Sequence, residues 1–148
     1  MEFNQDNKIV QLCVKGMELE GKGDLKGAAR LFNEAWEQAV TDFEKFTAAH
    51  YVARHQADIP GKLQWDKIAL KHALNIPGDS VKSNLPSLYL NIAKCYEDLK
   101  ELSRARENYE RANSFTNLLP NNEYGKMIKQ GIQNGITRTK TGKSNSKL

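Results

Sequence analysis

Apolar residues recur along this chain at the spacing of amphipathic helices, and one pattern of large and small residues occurs twice. The second copy lies 77 positions after the first. Residues three or four apart share one face of a helix, so each copy predicts two helices that pack as a hairpin. The matched positions are Leu12, Lys15, Gly16, Leu19, Ala28, Phe32 and Ala35, and then Tyr89, Ile92, Ala93, Tyr96, Ala105, Tyr109 and Ala112.

Short breaks between the apolar stretches predict seven helices. Gly21 and Gly23 suit a helix end, and Asp24 is a good N-cap for the helix that follows. Residues 59–61 and 75–80 carry the Pro, Gly, Asn and Asp signals of turns. We predict helices over about 9–20, 25–40, 43–56, 63–74, 86–99, 102–115 and 121–136.

The seventh predicted helix has one apolar stripe and is polar elsewhere, which is typical of a helix that closes a stack of repeats. Its stripe consists of Tyr124, Met127, Ile128, Gly131, Ile132 and Ile136. Residues 137–148 hold only polar, Gly and basic residues before Leu148. We expect that tail to be disordered.

Length and composition indicate a globular protein. A chain of 148 residues with 39% apolar and 27% charged residues can bury one continuous core. No apolar run approaches the ~18 residues of a membrane helix, and the first residues do not resemble a signal peptide. Cys13 and Cys95 form neither a disulfide framework nor a zinc ligand set. We therefore expect a cytoplasmic protein without membrane contact.

The net charge of +4 arises at the end of the chain. The residues after Glu123 contain no acid, whereas residues 1–123 are close to neutral. The six basic residues of this last part are Lys126, Lys129, Arg138, Lys140, Lys143 and Lys147.

The repeated positions resemble the tetratricopeptide repeat, a helical hairpin of the form W-x2-L-G-x2-Y, then A-x3-F, then A and P. The segment 48–56 also resembles a signature (AAHYVARHQ) of a small bacterial branch of these proteins. The resemblance implies an all-α fold of three hairpins, at about 9–42, 43–80 and 86–119. They would stack in a right-handed superhelix, an α-solenoid, as a single domain over residues 1–136 that ends with the capping helix. The middle hairpin fits less well, because His50 stands where a small residue is usual.

In such folds the first helix of each pair lines a concave groove that binds a partner. The implied groove residues are Met17, Glu20, Thr47, Tyr51, Arg54, His55, Leu90, Lys94 and Glu97. They would suit a peptide or amphipathic helix with an apolar anchor flanked by charge. The acidic tail of a chaperone is disfavoured as the partner, because Cys13 and Met17 occupy places where such repeats carry Lys and Asn. In the same groove Cys13 would be exposed.

The only cluster that suggests catalysis or metal binding is His50, Arg54 and His55. The two histidines lie about 140° apart around one helix and so cannot share a metal ion. We expect His50 to pack within its hairpin. For Arg54 two interpretations stay open: it contacts a phosphate or carboxylate in the groove, or it pairs with an acid of the chain, such as Glu44, Asp58 or Asp66.

Enzyme motifs are absent from the sequence, since it has neither a Gly-rich phosphate loop after a strand nor a nucleophile elbow. We expect a non-catalytic scaffold or adaptor, without cofactor or metal, that binds a protein or peptide. One alternative is an RNA-associated module that contacts phosphates through the tail residues Arg138, Lys140, Lys143 and Lys147, although the same tail can serve for solubility alone. Another alternative is a self-associating structural protein, a homo-oligomer.

Overall fold

The computed structural model describes residues 6–145, with side chains described through Lys140, and this part of the chain is all-α. Single 3-10 turns at Lys82–Asn84 and Thr116–Leu118 lie before the fifth helix and after the sixth. The α-helices of the described part are α1 (Lys8–Gly21), α2 (Leu25–Gln38), α3 (Asp42–Arg54), α4 (Ile59–Leu74), α5 (Leu85–Asp98), α6 (Leu102–Ser114) and α7 (Glu123–Asn145).

Consecutive helices pack as hairpins: α1 with α2, α3 with α4, and α5 with α6. These pairs are the hairpins that the apolar spacing predicts. The chain divides into two compact units, each described by itself: unit 1 is Met1–Ser80 and contains α1 to α4, and unit 2 is Val81–Leu148 and contains α5 to α7. None of the helices between residues 6 and 145 is both long and apolar enough to cross a membrane.

The core of unit 1 surrounds Phe32 of α2, which is fully buried with Ala28 and Ala35. Gly16 of α1 faces the Phe32 ring so closely that a Cβ atom at this position would collide with it. Helix α3 packs on α1 and α2, and its Tyr51 ring stacks on Phe32 with centroids 5.0 Å apart and planes at 16°. One core therefore holds the first hairpin and the third helix together.

A second aromatic contact lies between α2 and α4. The rings of Trp36 and Trp65 meet edge to face, with centroids 5.0 Å apart and planes at 89°. Both tryptophans are partly buried against the core of unit 1. They are the two tryptophans of the chain, so tryptophan fluorescence reports on unit 1 alone.

Helix α4 begins earlier than the sequence predicts. Residues 59–61, which we expected to form a turn between two helices, are the first turn of α4. Asp58 is the N-cap, and its Oδ1 accepts a hydrogen bond of 2.8 Å from the backbone N–H of Gly61. Pro60 stands in the first turn, where a helix needs no N–H from it. Pro60 therefore lies at the start of α4 and does not separate it from a preceding break.

Unit 2 has Tyr109 of α6 at its centre, fully buried with Ala105 and Ala112. Helix α7 packs on both α5 and α6. Its Gly135 lies against the Tyr109 ring, where a Cβ atom would collide with that ring. The hairpin α5–α6 and α7 thus share one core, as the first three helices do in unit 1.

Helix α7 differs from the predicted capping helix in length and in its buried face. It continues to Asn145, so residues 137–145 are helical where we expected a disordered tail, and residues 146–148 lie outside the described residues. Thr139 is buried, and its Oγ1 donates a hydrogen bond of 2.9 Å to the carbonyl oxygen of Gly135. That burial supports the extra turns.

The buried face of α7 includes small residues that an apolar pattern does not register. Tyr124 and Met127, which we assigned to the apolar stripe, are 44% and 63% exposed. Of the predicted stripe, Ile128 and Ile132 are buried. The buried residues of α7 in its described part are Gly125, Ile128, Ile132, Gly135 and Thr139.

Candidate partner-binding site

The predicted groove residues are divided between the two units. In unit 1, Met17 and Glu20 lie on α1, and Thr47, Tyr51 and Arg54 lie on α3 with His55 at its C-terminal cap. In unit 2, Leu90, Lys94 and Glu97 lie on α5.

An open cavity of about 520 Å³ lies between α1 and α3 of unit 1. Three predicted groove residues, Met17, Thr47 and Tyr51, contribute to its wall. The other six lining residues lie on α1, and half of them are apolar while the other half are charged or polar. The complete lining is Val10, Gln11, Cys13, Val14, Lys15, Met17, Glu18, Thr47 and Tyr51.

Helical spacing places these side chains together. Val10, Val14 and Met17 recur at intervals of four and three on α1, and Thr47 and Tyr51 are four apart on α3, so each set shares one helix face. The sequence reasoning missed Val14, which is 42% exposed and lines the cavity. The signal that could have found it is an apolar residue three positions before Met17, on the same face of the predicted helix.

Cys13 lies deeper in the wall than we expected. Its residue is 2% exposed, and burial raises the pKa of its thiol to about 12. The thiol therefore stays protonated at neutral pH and is a poor nucleophile. Cys13 is a packing residue of the cavity wall, and the predicted exposure was wrong.

Three of the predicted groove residues form one charged cluster at the ends of α1 and α3. Arg54 Nη2 donates a hydrogen bond of 2.8 Å to Glu20 Oε1, and His55 Nε2 lies 2.6 Å from Glu20 Oε2. The Arg54 guanidinium also lies over the Tyr51 ring, 5.2 Å from its centroid. Its side chain remains 46% exposed. The acid that pairs with Arg54 is thus Glu20, which we had not named as a candidate.

His50 packs within the second hairpin, as expected. Its ring meets Tyr51 edge to face with centroids 5.1 Å apart. Burial lowers the pKa of His50 below its ordinary value, and the nearby Arg54 cation lowers it further. On α4, Lys62 and the buried Asp66 form an ion pair of 2.9 Å, and these two charges oppose each other in their effect on His50.

In unit 2 the predicted groove residues have different surroundings. Leu90 is 6% exposed and lies against Gly131 of α7, so it is part of the core rather than an open surface. Lys94 is exposed. Glu97 is bound within the unit: Tyr109 Oη donates a hydrogen bond of 2.6 Å to its Oε1, and Arg138 Nε donates one of 2.8 Å to its Oε2. Helix α7 therefore covers the part of α5 that carries Leu90 and Glu97.

The residues that we predicted to contact phosphates have different surroundings. Arg138 is held by Glu97, and its pKa is raised above its usual value by that hydrogen-bonded carboxylate. Lys140 is exposed. The side chain of Lys143 and the whole of Lys147 lie outside the described residues.

In the part of the chain that the structure describes, no three His, Cys, Asp or Glu side chains are grouped so as to hold a metal ion. The arrangement offers a cavity next to the Arg54 guanidinium, which is paired with Glu20 but still exposed to solvent. Such a site can bind, by contact and charge, an apolar side chain that has an acidic neighbour.

Comparison with known proteins identifies no family. No protein-family model matches this chain, and no match was found among the curated proteins or among the solved structures. What the structure defines is an all-helical protein whose helices pack as sequential pairs.

Proposed function

We propose that this chain is a non-catalytic protein-interaction module, a scaffold or adaptor, that binds a peptide or helix of its partner at the α1–α3 cavity. The observation that carries the proposal is the cavity itself, whose volume of about 520 Å³ is that of a ligand site. Val14 and Met17 supply its apolar surface on α1, and Tyr51 supplies an aromatic wall on α3.

Charge near the cavity favours a particular kind of ligand. Arg54 is oriented by Glu20 and by the Tyr51 ring, yet almost half of its side chain faces solvent. Lys15 and Glu18 stand on the α1 side of the cavity. A segment with an apolar anchor, an acid beside it for Arg54 and further charges of mixed sign would suit this surface.

The architecture that accompanies this proposal is a tetratricopeptide-like stack with a right-handed superhelical course. Its support is the repeat of one hairpin pattern 77 positions apart and the sequential packing of the pairs. A reducing compartment such as the cytoplasm is also part of the proposal, and the two free, buried cysteines support it.

The proposal can be tested by selecting a random displayed-peptide library on the immobilised full chain. Bound peptides are then counter-selected on the Met17→Asp variant, which places a charge in the cavity wall. We expect enrichment of peptides with a large apolar residue near an acid. In fluorescence polarisation their affinity should fall at least about tenfold with Val14→Asp, because the bound peptide would cover a carboxylate that has no partner.

The matched control is Val40→Asp, since Val40 is 78% exposed in the same unit and does not line the cavity. Peptides that bind both Asp variants as well as the wild type would contradict the proposal, and so would a library without enrichment. If sedimentation instead shows a dimer that Met17→Asp dissociates, the cavity is filled by a second copy and the alternative of a self-associating protein is correct.

A further inference from the structure

A second surface, on α7 of unit 2, carries a charge pattern that the partner-binding proposal does not use. After the first turn of α7 the chain has no acid, and its basic residues continue to the end. The structure removes Arg138 from this set by pairing it with Glu97. It also places Lys126, Lys129 and Lys140 at exposed positions of one continuous helix.

These three lysines, which we call the lysine face, share one side of α7. At 3.6 residues per turn they fall within an arc of about 60° and span about 21 Å of the helix axis. Lys126 lies 3.6 Å from Glu123, but both side chains are largely exposed, so that pair is weak. Lys129 and Lys140 have no ion-pair partner among the residues that the structure describes.

We propose that the lysine face of α7 binds the phosphodiester backbone of a nucleic acid without reading its sequence. A nucleic acid presents closely spaced negative charges along its length, and each lysine that neutralises a phosphate releases a counterion. Exposed uncharged polar side chains lie between Lys129 and Lys140 along α7, and side chains of this kind commonly contact phosphates and sugars. These residues are Gln130, Gln133, Asn134 and Thr137.

The same face does not suit a lipid surface. A helix that lies on a membrane inserts an apolar face, whereas the apolar face of α7 is buried within unit 2 through Ile128 and Ile132. The exposed Tyr124 and Met127 lie on the far side of the polar arc from Lys129, by helical rotation. No aromatic side chain stands among the lysines to stack on bases, so contact with the backbone alone is expected.

The test measures fluorescence anisotropy of a labelled DNA duplex and of a labelled single-stranded RNA with the full chain, between about 50 and 200 mM salt. The variant is the triple change of Lys126, Lys129 and Lys140 to Gln. We expect it to reduce the slope of log K against log salt by about 2 to 3, since each lysine contributes about 0.7 to 0.9. The two labelled probes show whether duplex or single strand is the ligand.

The matched control changes Lys22, Lys26 and Arg30 to Gln, which alters the net charge equally at three exposed positions of unit 1. The proposal requires the control to keep the wild-type slope. Equal slopes for all three proteins, or equal losses in both variants, would overturn it.

Two further arms have decisive outcomes. If a variant with only Lys143 and Lys147 changed to Gln loses all the binding, the chain end and not the lysine face is the site. If vesicles that contain phosphatidylserine bind with the same dependence on the lysine face while nucleic acids do not, the ligand is a membrane. Binding at the lysine face is independent of the α1–α3 cavity, so Met17→Asp should leave it unchanged.

Discussion

The hairpin α1–α2 of unit 1 and the hairpin α5–α6 of unit 2 make the same turn with different residues. The backbone N–H of Gly23 donates a hydrogen bond of 3.0 Å to the carbonyl oxygen of Glu20. At the position 77 residues later, the N–H of Lys100 donates one of 3.0 Å to the carbonyl oxygen of Glu97. Both turn residues have positive φ, 86° for Gly23 and 66° for Lys100. Hairpin packing thus imposes one backbone geometry, and the residue at the turn decides how much strain it carries.

The two hairpins also hold the next helix by equivalent acids. Glu20 and Glu97 occupy the same place, and each binds an arginine from the helix that packs on its hairpin, Arg54 of α3 or Arg138 of α7. Helix α7 therefore docks on its hairpin by the same kind of contact as α3 does. In this respect it behaves as the first helix of a further pair.

The second partner of each acid differs. Unit 2 uses the hydroxyl of Tyr109, whereas unit 1 has Phe32 at that place, which has no hydroxyl, and uses His55 from the end of α3. The His55 ring lies 5.4 Å from the Phe32 ring, centroid to centroid. In unit 1 the ring nitrogen of His55 thus takes the place that the Tyr109 hydroxyl has in unit 2.

The surface beside these acids differs between the two units. On α5 the places that correspond to Val10, Val14 and Met17 of the cavity hold polar residues, namely Ser87, Asn91 and Lys94. An apolar cavity of the unit 1 kind therefore requires side chains that α5 lacks. This contrast supports a binding role for unit 1.

The largest effect that we expect is at the two close glycine contacts. Gly16→Ala places a methyl group in the ring of Phe32, and Gly135→Ala does the same to Tyr109. Each change should lower the free energy of unfolding by about 1 to 3 kcal/mol, as overpacking does. Tryptophan fluorescence in urea measures the first, and hydrogen exchange of α5 to α7 measures the second.

The control for this prediction is Ala93→Gly, at the place in unit 2 that corresponds to Gly16. There the loss should be about 1 to 2 kcal/mol, because the change lowers helix propensity and removes a buried methyl group without any overpacking. A Gly16→Ala variant that is more stable than the wild type would mean that the close contact with Phe32 is not a constraint, and the comparison of the two cores would fail.

A smaller effect of opposite sign in the two units is expected at the turns. Lys100→Gly should stabilise unit 2 by about 1 kcal/mol, because glycine adopts positive φ without the steric cost that a Cβ atom brings. Gly23→Lys should destabilise unit 1 by a similar amount. Thermal unfolding of the two variants measures both shifts, and changes of the same sign would contradict a shared turn geometry.

The smallest effect concerns pH, and it should begin at different pH values in the two units. Burial holds the pKa of His50 below its ordinary value of 6.5, so unit 1 loses stability as the pH falls from about 6.5 towards that lowered pKa. Arg138 holds the pKa of Glu97 below 4.5, so its contribution to unit 2 is lost only as the pH falls below about 4.5.

Hydrogen exchange of both units between pH 7 and 5 measures this difference. We expect exchange, corrected for its intrinsic pH dependence, to show a gradual loss of protection in α3 and α4 and a steady level in α5 to α7. His50→Gln should remove the loss in unit 1. If the loss persists in that variant, another group is responsible.

The hairpins could be predicted from the sequence because their signals are local. Helix periodicity, the cap at Asp24 and the glycine at position 23 act over a few residues, and they identified the first hairpin and its turn. The buried rings of Phe32 and Tyr109 followed from their place among small residues. Met17, Thr47 and Tyr51 of the cavity were expected on a different ground, the groove positions that the tetratricopeptide resemblance implies.

Long-range contacts were decided only by the tertiary structure. Glu20 meets Arg54 across 34 residues, and Glu97 meets Arg138 across 41, at distances along the chain where no local pattern reports a neighbour. The buried face of α7 includes Gly135 and Thr139, whose burial depends on the helix packed above them and not on their own hydropathy. The sequence by itself determined the helices and their pairing; the fold decided which faces are covered, because burial is a property of two surfaces and not of one.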